Sequence, residues 1–215
     1  MAIIFTNLTK ELAQQVDELT AICFPDMPDD NRYVTEELIV MSDVFPEGAI
    51  VAINNSNQQV VGFGTGIFTD IDHKNMPPRE HDILGDYGVK NHSMEGKFYF
   101  GSEFCVHPDF RGQGLGRKIY DYRKEVIVRN NKFGFFAPAA LQGFGNYKAD
   151  MDIHTYLEKV QNTEIYDPTL TMQLRNDFQV VKPMQNFFDH PKADNWCALI
   201  YWGNPILGKT DFREL

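Results

Sequence analysis

The chain has 215 residues, of which 43% are apolar and 23% are charged. This composition excludes a disordered, collagen-like or coiled-coil protein, and the length predicts a single domain over residues 1–215. With 20 basic and 30 acidic residues the formal net charge is −10, so general binding to nucleic acid or to an anionic membrane is not expected.

The number and spacing of the cysteines indicate a reducing cellular compartment. Cys23, Cys105 and Cys197 lie far apart, and an odd count without a C-x-x-C pair argues against a disulfide framework. A cytoplasmic location follows from this usage. The N-terminus has no basic segment, and no apolar run reaches the ~20 residues that span a bilayer, so neither a signal peptide nor a membrane anchor is expected. The histidines show no metal-ligand spacing, and no metal is expected.

In chain order, the hydrophobic pattern first predicts a strand at 3–6 and two helices that begin near Thr9 and Thr35. Two strands at 49–53 and 59–68 follow, joined by an asparagine-rich turn that favours a hairpin. Further strands are predicted at 97–106, 133–137, 178–184 and 196–202, and further helices at 114–129, 152–160 and 167–176. The buried face of the helix at 114–129 is predicted to carry Leu115, Ile119, Tyr122 and Val126. This order indicates a mixed α/β domain.

Two stretches interrupt the pattern, at 69–96 and 139–166. The first holds two prolines and many charges, with a short helix expected near Ile83. Connections of this length are unusual in a compact domain unless they serve a function. Both stretches are therefore interpreted as insertions that carry specificity or a partner surface.

The segment from Val106 to Lys118 carries the clearest chemical signal. A strand delivers the chain to a turn with Gly112, Gly114 and Gly116, where a helix begins. Backbone N–H groups and the positive end of a helix form a site for a pyrophosphate. From residue 111 to 132, seven basic residues stand against two acidic ones. A glycine-rich turn before a solvated basic helix is the plainer alternative. The glycine spacing fits neither a Walker loop nor a Rossmann fingerprint.

Arg111-x-x-Gly114-x-Gly116, preceded by Val106-His107-Pro108, resembles the acyl-CoA signature of the GCN5-related N-acetyltransferases. The resemblance covers nearly the whole chain and implies an α/β fold with a mixed, mostly antiparallel, splayed sheet flanked by helices. Acetyl-CoA would lie in the gap between the fourth and fifth strands. The residues that the resemblance assigns to acetyl-CoA are Phe104, Cys105, Val106, Arg111, Gly112, Gln113, Gly114, Leu115, Gly116, Arg117 and Lys118.

Within that set, the resemblance gives each segment a role. The backbone of 104–106 would bind the pantetheine arm and the acyl carbonyl, and the N–H groups of 111–116 would bind the pyrophosphate. Arg117 and Lys118 would reach the outer phosphates, unless they form only an exposed helix face.

The C-terminal part departs from the family pattern. Family members often use a tyrosine to protonate the leaving thiolate, and Gln173 stands at that position. Asp177 replaces a glycine, and Tyr166 falls where an asparagine is expected. Tyr166 is therefore the candidate acid. The segment 164–178 also resembles the acetyltransferase half of proteins fused to a carbon–nitrogen hydrolase.

Glu103 is the candidate base that takes the proton of the amine. It lies in an apolar, aromatic run of the strand that forms the site, and burial there would raise its pKa. A salt bridge at the sheet edge is an equal alternative. Side chains alternate along a strand, so Glu103 and Val106 face opposite ways unless a bulge intervenes, whereas Ser102 would share the face of Val106.

These features predict an acyl-CoA-dependent N-acyltransferase in which a bound amine attacks the thioester of acetyl-CoA directly. The alternative is a non-catalytic CoA-binding or protein-interaction module of the same fold. The expected partner is a small-molecule or peptide amine, with no nucleic acid or membrane partner and with a homodimer left open. The two insertions are expected near the acceptor side of the cleft.

Overall fold

The structure is a computed structural model that describes residues 2–25 and 32–215. Within those ranges the strands are β1 (Ile3–Asn7), β2 (Ile50–Asn54), β3 (Gln59–Thr69), β4 (Phe98–Val106), β5 (Gly134–Ala140), β6 (Gln179–Gln185) and β7 (Trp196–Gly203). The helices are α1 (Ala13–Cys23), α2 (Thr35–Val44), α3 (Glu80–Leu84), α4 (Leu115–Arg129), α5 (Ile153–Gln161) and α6 (Leu170–Leu174).

The strands form one sheet in the order β1-β2-β3-β4-β5-β7-β6. Every neighbouring pair is antiparallel except β4 and β5, which run parallel. The parallel pairing covers only Phe98–Phe100 opposite Gly134–Phe136. Beyond it, β4 stays with β3 as far as Val106, while β5 stays with β7 as far as Ala140. The sheet therefore splits between β4 and β5, and the predicted splayed, mostly antiparallel α/β fold is confirmed.

Two helix predictions need correction. The first helix does not begin at Thr9, whose side chain makes no capping bond; a 3-10 turn at Lys10–Leu12 precedes α1. The helix predicted at 167–176 is limited to Leu170–Leu174, and Asp177 then adopts a left-handed backbone with φ 64°. That conformation cannot continue a right-handed helix.

The buried face of α4 also differs from its prediction. Tyr122 is 39% exposed and stacks on Phe5 of the edge strand, with ring centroids 4.8 Å apart. Tyr120 and Arg123 are buried instead, at 1% exposure each. The Arg123 guanidinium donates to the carbonyl of Thr65 (2.6 Å) and lies where a Cβ on Gly101 would overlap it. Glycines in the sheet thus leave room for a side chain that hydrophobic periodicity assigns to solvent.

The insertion at 69–96 contains the helix expected near Ile83, α3, which begins at Glu80. Gly88 of the same insertion has φ 64° and lies so close to Tyr33 that a Cβ there would overlap the tyrosine ring. The stretch at 139–166 begins inside β5, which extends to Ala140, and then contains α5.

Candidate functional site

The gap between β4 and β5 exposes one edge of β4. The N–H of His107 donates to the carbonyl of Val61 on β3, at 2.9 Å. In an antiparallel pair these bonds use every second residue, so the N–H groups of Phe104 and Val106 point away from β3 and into the gap. Backbone donors at such an edge can hold an amide of a bound chain or polarise a carbonyl.

A β-bulge interrupts β4 between Gly101 and Phe104. Gly64 pairs with Phe104 and Gly66 with Gly101, so the extra residue of β4 falls at Ser102 or Glu103. The bulge turns both side chains toward the segment that precedes α2. Strand alternation predicted that Ser102 shares the face of Val106, and this prediction is wrong. The Ser102 hydroxyl instead bonds the hydroxyl of Tyr33, at 3.0 Å. Phe104 faces the opposite side, where its ring packs on Tyr120 of α4.

The turn after β4 has the local geometry of an anion site. Gly112 and Gly114 have φ of 73° and 79°, and a Cβ on either would meet no atom within 4 Å. Gly114 caps α4 without a side-chain bond. Among the described residues no acceptor bonds the backbone N–H groups of 112–117. Unbonded N–H groups in an open turn at a helix start fit a phosphate group.

Side chains of the turn differ in what they contact. The Nε of Arg111 donates to the carbonyl of Val106 at 2.9 Å, so this side chain folds back on β4. Gln113 likewise donates to the carbonyl of Asp109 at 3.2 Å. Leu115 is 5% exposed and packs in the core. Arg117 and Lys118 are exposed on the first turn of α4, where they remain available to an anion.

Close packing brings α4 onto β4 just beyond the turn. A Cβ on Gly116 would lie 3.2 Å from the ring of Phe104, so only a small residue fits this position comfortably.

Gln173 forms part of the wall on the α4 side of the gap. Its Nε2 donates to the Tyr120 hydroxyl at 3.0 Å, while its Oε1 is buried without a partner among the described residues. Burial raises the pKa of Tyr120. Tyr166, the predicted acid, is 64% exposed. Hydrophobic periodicity does not identify Tyr120, because it places Tyr122, two positions along the same helix, on the buried face.

Glu103 lies on the opposite face of β4. Its carboxylate accepts the backbone N–H of Tyr33, while its Oε1 is buried and has no hydrogen-bond partner in the described part of the chain. Desolvation raises the pKa of Glu103 to about 8. The Tyr33 N–H and the Arg32 guanidinium oppose this shift, and the Glu80 carboxylate adds a smaller increase. Desolvation also raises the pKa of Glu80 to about 7. Tyr33 and Glu80 were missed because neither lies in a periodic segment.

Cys105 is buried on the same face as Glu103 and hydrogen-bonds the thiol of Cys23 at the end of α1. This bond, together with burial, raises the pKa of Cys105 well above its usual value. The same bond and the nearby Arg111 lower the pKa of Cys23. Of the predicted acyl-CoA residues, Cys105 points its side chain away from α4, and the side chain of Arg111 also lies near Cys23 on that face.

The described residues contain neither a membrane-spanning helix nor a metal-binding cluster. No helix in 2–25 or 32–215 has the length and apolar character needed to cross a bilayer. Over the same ranges, no group of three or more histidine, cysteine, aspartate or glutamate residues has the arrangement of a metal site.

Comparisons with known proteins extend these observations. The model of the Acetyltransferase (GNAT) family matches residues 13–137. The probable hydrolase YhcX of Bacillus subtilis (strain 168) is 27% identical over 202 residues, which are 94% of this chain and 38% of that protein. The chain thus spans well under half the length of this relative. The match confirms the predicted resemblance to hydrolase-linked acetyltransferases.

Two further matches each cover most of this chain and most of the protein it resembles. The uncharacterized N-acetyltransferase YkwB of the same organism is 21% identical over 210 residues, 97% of this chain and 92% of that protein. The loading GNATL domain of CurA from Lyngbya majuscula has a TM-score of 0.80 at 14% identity, over 96% of this chain and 100% of that domain. At this identity the structural similarity concerns the fold alone.

Proposed function

Because the chain belongs to the acetyltransferase (GNAT) family, we propose that it transfers an acetyl group from acetyl-CoA to an amine by direct attack. Acyl transfer from acyl-CoA is the general activity of this family. The observation that carries the proposal is the open turn at 112–117, whose unbonded N–H groups adjoin the exposed edge of β4. A small-molecule or peptide amine is the proposed acceptor, and a cytoplasmic setting suits the three free thiols.

On the acyl-CoA side, backbone groups do most of the binding. The N–H groups of 112–117 and the positive end of α4 would hold the pyrophosphate, with Arg117 and Lys118 near the outer phosphates. The edge N–H groups of Phe104 and Val106 would bind the pantetheine arm and polarise the acyl carbonyl. Acetyl-CoA supplies the activated thioester. The side chain of Arg111 keeps the Val106 carbonyl occupied, which leaves the N–H of Val106 as the free group at this position.

Proton transfer needs a base for the amine and an acid for the thiolate. Glu103 suits the first role because its Oε1 is buried without a partner in the described part of the chain, and because desolvation raises the pKa of its carboxyl to about 8, close to the working range of a general base. The acid role of Tyr166 stays a prediction. Tyr120 is a second candidate, because its hydroxyl is held by Gln173 and its ring contacts Phe104.

The test begins with binding. Calorimetry with CoA should show binding to the wild type, and Gly114→Asp should weaken it by roughly tenfold or more, because a carboxylate would face the pyrophosphate. Gly208→Asp is the matched control, since Gly208 also has a left-handed backbone (φ 66°) and no atom within 4 Å of a Cβ. Equal losses in both variants, or no binding of CoA at millimolar concentration, would contradict the assignment of the turn.

Turnover is then measured by release of CoA thiol from acetyl-CoA with a panel of primary amines. Thiol release that depends on both the amine and Glu103 supports the N-acetyltransferase. Binding of CoA without turnover for any amine would favour the non-catalytic module.

A further inference from the structure

We propose that Glu80, carried by the insertion at 69–96, is a second carboxylate of the acceptor site. Together with Glu103 it would select an alkylammonium ion that has no carboxylate beside its nitrogen. This inference rests on the proposed function, because it names the acceptor class of the same site.

The insertion is fixed where the sheet splits. The N–H of Glu80 donates to the carbonyl of Phe187 at 3.0 Å, and Arg79 donates to the carbonyl of Asn186 at 3.0 Å. Phe187 is 2% exposed, and its ring lies 6.3 Å from that of Phe100. Phe100 is the last residue of β4 that pairs with β5. Glu80 is therefore held beside the start of the gap, on the face of β4 away from α4.

The same insertion packs on the residue that positions Glu103. Gly88 lies against the ring of Tyr33, the hydroxyl of Tyr33 bonds Ser102 in the bulge, and the backbone N–H of Tyr33 bonds the Glu103 carboxylate. These contacts engage one part of the Glu103 carboxylate and leave Oε1 enclosed without a donor among the described residues. Buried carboxylate oxygens normally have hydrogen-bond partners. A ligand that donates N–H groups would fill this vacancy, and an ammonium ion carries three such donors.

Charges around the pair favour a cation. Glu80 and Glu103 repel each other, and both act on the buried hydroxyl of Tyr33, as does Glu37. Glu80 also acts on the thiol of Cys197 on β7, and Cys23 faces Glu103 from α1. The cation that acts on Glu103 is Arg32, whose guanidinium also contacts the Asp17 carboxylate at 3.2 Å. Carboxylates thus outnumber cations here, and burial, which raises the pKa of both Glu80 and Glu103, adds to the cost of ionising them without a bound cation.

Proton transfer to Glu103 accounts for the first proton that the acceptor ammonium loses. The ammonium gives one proton to the Glu103 carboxylate and becomes a neutral amine. Its nitrogen forms the new bond to the acyl carbon as the carbon–sulfur bond breaks. The thiolate then receives the second nitrogen proton through an acid or water, which leaves an amide and CoA thiol, and Glu103 returns its proton to solvent.

A carboxylate next to the acceptor nitrogen would bring a third negative charge to this pair. An α-amino acid should therefore be a much poorer acceptor than the amine of the same carbon skeleton. Butylamine and norvaline form such a pair, because they differ only in the carboxylate.

The test measures thiol release with butylamine and with norvaline for the wild type, Glu80→Gln and Glu95→Gln. Glu95 is the matched control, an exposed carboxylate in the same insertion. In Glu80→Gln the KM for butylamine should rise roughly tenfold or more, since a hydrogen bond to a charged group is lost, and CoA affinity should not change. Glu95→Gln should behave as the wild type, and norvaline should react poorly with it. Equal kinetics of Glu80→Gln and the wild type, or equal use of both acceptors, would overturn the inference while leaving N-acyl transfer intact.

If the wild type binds CoA but acetylates no amine, the proposed function fails and the site can still be tested. Calorimetry of the CoA-saturated protein with butylamine should then show binding that Glu80→Gln loses. Absence of such binding in the wild type would overturn the ammonium site.

Discussion

Asp167 offers the most quantitative test of how the C-terminal half is held together. Its carboxylate is 0% exposed. One oxygen, Oδ1, accepts the N–H groups of the N-cap residue Thr169 (2.9 Å) and of Leu170 (2.8 Å), the first residue of α6. The other, Oδ2, accepts the N–H of Gly143 (2.9 Å) and the hydroxyl of Tyr156 (2.7 Å). One side chain thus caps the helix that carries Gln173 and ties it to the stretch at 139–166.

Asp167→Ala removes all four bonds. Loss of a helix N-cap costs ~1 kcal/mol, and each buried donor left without an acceptor costs ~1–3 kcal/mol. The Gly143 N–H and the Tyr156 hydroxyl would both be left this way. The expected loss of unfolding free energy is about 3–7 kcal/mol. Asp167→Asn keeps the cap but presents an N–H₂ group to Gly143, so its loss should be smaller, ~1–2 kcal/mol.

Urea unfolding at pH 7 measures these losses, with Asp152→Ala as the matched control. Asp152 is the N-cap residue of α5 and likewise accepts two N–H groups at a helix start, those of His154 (2.8 Å) and Thr155 (3.0 Å), but its bonds are local and exposed. Its replacement should cost only ~1 kcal/mol. If Asp167→Ala destabilises the protein no more than Asp152→Ala, the bridging role of Asp167 is refuted.

Three further predictions concern the site. The pKa of Glu103, about 8, lies above its ordinary value of 4.5, so its contribution to stability is complete below pH 4.5 and is lost as the pH rises through 8. Glu103→Gln should therefore reduce the decline in unfolding free energy between pH 5.5 and 8, by about 3 kcal/mol in urea titrations; an unchanged decline would contradict the burial of the carboxyl. Removing the acid that protonates the thiolate should flatten the alkaline limb of the pH–rate profile. Tyr120→Phe and Tyr166→Phe test the two candidates, and a wild-type profile in both variants would exclude both residues. Arg117→Ala should weaken CoA binding about two- to fivefold at low salt and less at high salt, as expected of a screened, exposed contact; equal affinity at low salt in calorimetry would remove this residue from the phosphate site.

Local signals made much of the fold predictable. The strands, α2, α4 and α5 follow from hydrophobic periodicity and start signals, and the structure has them within a few residues of their predicted bounds. The glycine turn could be predicted because its residues are adjacent in the sequence. Gly112 and Gly114 adopt left-handed backbone, as a tight turn before a helix requires. The break between β4 and β5 came from the family resemblance.

Long-range contacts account for what the sequence did not reveal. Glu80 reaches the site because its insertion is bound to Phe187, more than a hundred residues away in the chain. Tyr33 meets Ser102 across 69 residues, and the bulge that turns Ser102 toward it depends on pairing with β3. Neither contact leaves a periodic trace in the sequence. Helix periodicity also misplaced Tyr122, since the sheet glycines that accommodate Arg123 on α4 belong to other segments.

Acetyl transfer to an amine is tested most directly by product analysis. The protein is incubated with acetyl-CoA and the best amine of the panel, and mass spectrometry follows the amine while CoA thiol is measured in parallel. The expected result is an amine that gains one acetyl group, in equal amount to the thiol released and with the rate strongly reduced in Glu103→Gln. Thiol release without an acetylated amine, or a product that forms equally well in Gly114→Asp, would contradict an N-acetyltransferase built on this turn and this gap.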